Sequence, residues 1–65
     1  MSEYEEYVEE VAQVNRYLLD GYTISNVVED LSGMHVEFSS LASKVRLLIT
    51  TASARKYVST KLFYS

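Results

Sequence analysis

The chain has 65 residues, no cysteine, no proline, one histidine and a net charge of −3 at 48% apolar content. Disulfides, thiolate metal sites and a multi-histidine zinc site are excluded, and the composition is not that of a disordered segment. A chain of this length buries only about 60% of its unfolded surface, so a partner or a second copy is the expected stabilising device.

Helix 1 is expected over about 3–20. Ser2 and Glu5 have capping-box spacing, and Glu3, Glu5 and Glu6 fall in the first turn, where the helix dipole favours negative charge. Tyr4, Tyr7, Val8, Val11, Val14 and Leu18 then recur on one helical face. Asn15 lies at the edge of that face, where one polar group can fix a register. Gly21 suits the left-handed position after the last turn, which places a turn at 20–23.

Thr23 is the next candidate cap. Ile24, Val27, Leu31, Met34, Phe38, Leu41, Val45, Leu48 and Ala52 follow at alternating steps of 3 and 4. That spacing predicts a second helix over about 24–52, continuing or bending to 62. Gly33 lies outside the stripe, where a helix loses only about 1 kcal/mol to a glycine. The expected fold is therefore all-α, a helical hairpin with a long second helix, completed as an oligomeric four-helix bundle. The alternative is α+β, two helices with a three-stranded antiparallel meander. MHVEF alternates, Val45, Leu47 and Ile49 share one strand face, and YVSTKLFY is rich in β-branched and aromatic residues. Against it, residues 34–65 hold no Gly, Pro, Asn or Asp to build tight turns.

A helix from 23 to 62 would be about 60 Å long, and helix 1 folded back would cover it only to about residue 41. The expected partner interface is the uncovered remainder: Val45, Leu48, Ile49, Tyr57, Val58, Leu62, Phe63 and Tyr64. Charge is split along the chain. Residues 1–37 hold all nine acids against Arg16 alone, and residues 38–65 hold five bases and no acid. Glu5, Glu6, Glu9 and Glu10 are thus expected to complement Lys44, Arg46, Arg55 and Lys56.

The functional expectation is a non-enzymatic protein-interaction module: an adaptor, a small complex subunit or an inhibitor, binding itself or a larger protein. No catalytic constellation, cofactor motif or metal-ligand spacing is present. The second expectation is a small dimeric helix-turn-helix regulator of DNA, with TISNVVEDL as its first helix. Its recognition helix would begin near His35 and carry Ser39, Ser40, Ser43, Lys44 and Arg46. No run of about 18 apolar residues predicts a membrane span, and the acidic start is unlike a signal peptide. A cytoplasmic location is the expectation.

Overall fold

Helix α1 (Glu3–Leu19) starts and stops where the sequence signals place it. The Ser2 side chain accepts a hydrogen bond from the Glu5 N–H at 3.2 Å. At the other end Gly21 takes φ +95, the Gly21 N–H bonds the Leu18 carbonyl at 3.3 Å, and the Tyr22 N–H bonds the Tyr17 carbonyl at 3.0 Å. That pair of bonds is a Schellman stop, and the Tyr17 and Tyr22 rings pack edge to face, 5.4 Å apart, to seal it.

Beyond Tyr22 the chain departs from the helical hairpin. The computed structural model describes residues 2–64, with side chains through Leu62, and shows strands β1 (Thr23–Asp30), β2 (Gly33–Ser39) and β3 (Lys44–Ile49), then helix α2 (Ala52–Tyr64). The strands form one antiparallel sheet in the order β1-β2-β3. The all-α expectation is overturned, and with it the four-helix bundle built on it. The chain is α+β, the class of the alternative. Within that class two assignments change: TISNVVED is a strand, and YVSTKLFY belongs to a helix.

The helical spacing over 24–52 matches the buried side of the sheet only in part. A β-bulge at Ser25 shifts the register between Ile24 and Asn26, so Ile24 and Val27 lie three apart yet share the helix-facing side. Leu31 and Leu41, which the helical stripe needed inside, sit fully exposed at the two hairpin tips. Val36, which the stripe left out, is fully buried.

The first turn uses the usual residues and the second forms without them. In the first hairpin the Asp30 carboxylate accepts the Ser32 N–H at 2.8 Å, and Gly33 supplies a φ of +140. In the second, the Ser40 hydroxyl accepts the Ala42 and Ser43 N–H groups at 3.3 and 3.2 Å, and the Ser40 N–H bonds the Ser43 carbonyl at 2.8 Å. A serine side chain thus does the work of a glycine or asparagine turn.

Both helices cover one face of the sheet. Met34, Val36 and Phe38 of β2, Ile49 of β3, Val14 of α1, and Ala54 and Val58 of α2 make the buried core. Tyr17 lies against Phe38 with ring centroids 5.1 Å apart. Ile49 and Val58, expected to need an external partner, are covered by the chain itself. The longest dimension is 35 Å, against about 60 Å for an unbroken second helix.

Glu10 fastens α1 to the β3–α2 junction. Its carboxylate accepts the Thr50 N–H at 2.8 Å, the Thr50 hydroxyl at 3.0 Å, the Thr51 N–H at 3.1 Å and the Thr51 hydroxyl at 2.7 Å. The Thr51 hydroxyl oxygen in turn accepts the Ala54 N–H at 3.3 Å, so α2 is N-capped by a threonine that Glu10 holds in place. Further along, the Tyr57 hydroxyl donates to Asn15 Oδ1 at 2.6 Å, a second polar tie between the helices.

Candidate interaction surface

The sheet face turned away from the helices carries no layer of its own among the described residues. Strand register sets its side chains in cross-strand rows. Val28, His35 and Leu48 form one row, Asn26, Glu37 and Arg46 the next, and Ser39 pairs with Lys44 beyond them. A cleft of about 240 Å³ opens there, lined by Asn26, Val28, Asp30, His35, Glu37 and Arg46.

The polar groups on this face are organised. His35 Nε2 lies 2.9 Å from Asp30 Oδ2. The Ser32 N–H, above all, holds the Asp30 carboxyl below its ordinary range; slight desolvation opposes this and the neighbouring His35 adds to it. The Ser39 hydroxyl donates to Ser25 at 2.7 Å, and the Ser25 hydroxyl reaches the Glu37 carboxylate at 3.2 Å. Arg46 approaches the same carboxylate at 3.8 Å. Two apolar side chains interrupt this polar field, Val28 at 53% exposure and Leu48 at 43%.

The expected partner residues do not form one surface. Leu48 is on the open sheet face, while Val45 is half-buried on the helix-facing side and Ile49 and Val58 are core. Tyr57 is half-buried with its hydroxyl tied to Asn15, and Leu62 is partly exposed on α2. The Phe63 and Tyr64 side chains lie outside the described residues. Glu5, Glu6 and Glu9 are exposed along α1, whereas Glu10 is spent on Thr50 and Thr51. Lys44 and Arg46 belong to the open sheet face, Lys56 is exposed on α2, and Arg55 is half-buried with its Nε unbonded. Among the described residues the close acid–base contacts are His35–Asp30 and Arg46–Glu37, and within the chain no acidic side chain of α1 pairs with Lys44, Arg46, Arg55 or Lys56.

The segment assigned to a helix-turn-helix is β1, a hairpin turn and β2, and its candidate contacts Ser40 and Ser43 close the second loop. Chemically the open face offers a His–Asp pair and a serine pair, but the serines lean on Glu37, not on His35. Among the described residues no three His, Cys, Asp or Glu side chains converge to hold a metal ion. Sequence reasoning passed over Asn26, Val28 and Asp30 because it placed them on a helix. The alternation of MHVEF was the signal that could have found this face. No family model matches the chain, nor does any curated protein or solved structure.

Proposed function

We propose that this chain is a non-enzymatic protein-interaction module, an adaptor, complex subunit or inhibitor, that docks through the uncovered face of its sheet. The row Val28–His35–Leu48 carries the reading. It sets two exposed apolar side chains on the two outer strands, one on either side of His35, inside a rim of charged and hydroxyl groups, the arrangement of an interface core within its polar border. A phosphate-rich partner is disfavoured at the other natural site. The N-terminus of α2 would attract an anion, but the Glu10 carboxylate lies beside it, bonded to Thr50 and Thr51, and would repel one. Among the described residues no helix is long and apolar enough to cross a membrane, and action in the cytoplasm belongs to the same proposal.

Leu48→Glu should leave thermal stability within about 0.5 kcal/mol, since the side chain is half exposed. It should weaken capture of the partner from source cells by about tenfold or more, the scale of a central interface residue. Leu41→Glu, at a hairpin tip, should leave capture unchanged. A partner retained equally by all three proteins would refute docking on this face.

A second reading, nucleic-acid binding by a small dimeric regulator, draws on Lys44 and Arg46, which lie on the open face beside Ser39 and Ser25. Strands as well as helices can enter a groove. It requires retention on a mixed-sequence duplex at low salt, lost steeply as salt rises. Absence of retention at low salt removes it.

A further inference from the structure

We infer that two copies of this chain join edge to edge through β1, making one six-stranded antiparallel sheet. The inference goes beyond the sheet-face reading, because it concerns the strand edge, and either can fail alone.

Strand order leaves β1 and β3 as the two edges. An edge strand is a template for another strand unless charge or shape forbids it. The β3 edge is guarded: Lys44 and Arg46 project from it, and a two-fold pairing centred on β3 brings Arg46 opposite itself or next to a like charge. A cleft beside it is lined by Glu6, Glu9 and Glu10 together with Leu48.

The β1 edge complements itself. Let two β1 strands run antiparallel about a two-fold axis at Val27. Val27 then faces Val27, Asn26 faces Val28, and beyond the Ser25 bulge Ile24 faces Glu29 and Thr23 faces Asp30. Skipping Ser25 is what β1 already does against β2, where Asn26 pairs with Glu37 and Ile24 with Phe38. Every pair in this register keeps both side chains on the same sheet face, which antiparallel pairing requires. Ile24, Val27 and Glu29 are partners of Phe38, Val36 and Met34, the buried side of β2, so all three point toward the helix layer.

Electrostatics then selects this edge. Next to Ile24 an apolar cleft of about 280 Å³ is lined by Leu18, Thr23, Ile24 and Lys61. Lys61 lies over the Tyr57 ring, 5.4 Å from its centroid, and among the described residues it has no carboxylate partner. Glu29 is exposed and likewise makes no ion pair among the described residues. The register delivers Glu29 of the second copy to the Ile24 position, beside Lys61. The two-fold axis makes that pairing twice.

Sedimentation equilibrium on the full chain, from micromolar to millimolar concentration, tests it. The expected result is reversible dimerisation. Glu29→Lys and Lys61→Glu should each weaken it about tenfold, since each reversal alters two exposed pairs. The double variant should restore it, and Leu48→Glu should leave it intact. Both charged residues are exposed, so the variants keep the fold. A wild-type chain that stays monomeric overturns the inference. So does a dimer indifferent to either reversal, a double variant without rescue, or a dimer broken by Leu48→Glu, which would put the contact on the open sheet face.

Discussion

Gly33→Ala is expected to cost at least about 3 kcal/mol, a large share of the roughly 3–10 kcal/mol that stabilises a domain of this size. Two independent causes add. Gly33 holds φ +140, a region that side chains rarely adopt, and a Cβ placed there would lie 2.5 Å from the Ile49 carbonyl oxygen and 3.3 Å from Leu48 Cδ1. The carbonyl is backbone of the neighbouring strand, so relief requires parting β2 from β3. Gly21→Ala is the internal comparison. Gly21 also has positive φ, +95, but nothing lies within 4 Å of its added Cβ. It should cost only about 1 kcal/mol. Urea or thermal melts of the two variants decide the matter. The melting point should drop by at least about 12 °C for Gly33→Ala and by about 4–8 °C for Gly21→Ala. Equal losses would show that the close approach to Ile49 carries no energy.

Glu10→Gln should destabilise the protein by about 2–3 kcal/mol at neutral pH. The glutamine amide can accept from one threonine only, and its NH₂ would face N–H groups that need acceptors. The same site sets an acid limb. Desolvation raises the Glu10 pKa, but hydrogen bonds from the Thr50 N–H, the Thr51 hydroxyl, the Thr51 N–H and the Thr50 hydroxyl together outweigh it, so the folded value lies below the ordinary 4.5. A carboxyl with a depressed folded pKa contributes its stability in full above the unfolded value. That contribution fades as pH falls through 4.5 toward the lower folded value. Urea midpoints of the wild type should therefore fall more between pH 6 and 3 than those of Glu10→Gln. Asp30, also depressed, is common to both proteins and cancels in the comparison. Parallel pH profiles would show that the Glu10 clamp contributes nothing to the acid sensitivity.

The candidate surface was only half legible. Charge and apolarity single out Lys44, Arg46 and Leu48, and strand register sets all three on the open face. Their neighbours Val28 and His35 are 20 and 13 residues away from Leu48 in the chain, and only strand register brings them alongside. Local pattern carries no information about register. The expected apolar interface is divided for the same reason, with its residues Ile49 and Val58 in the core. Apolar residues look uncovered along one element until another element packs on them, as α1 and the sheet do on Ile49 and Val58.

What the sequence determined by itself was local. Ser2, the run of glutamates, the apolar face of α1 and Gly21 specify that helix and its ends, because capping, dipole and left-handed backbone preferences act within a few residues. The absence of cysteine excluded disulfides and thiolate ligands at once. Tertiary structure decided everything after Tyr22. Residues 24–52 fit a helical stripe by period, yet they form a bulged strand and two hairpins in which Leu31 and Leu41 of that stripe stand exposed. The strand solution prevails because a strand lets the side chains at 34, 36 and 38 all point to one side, where α1 and α2 can bury them. A single long helix would turn Val36 outward and leave half its length without a cover.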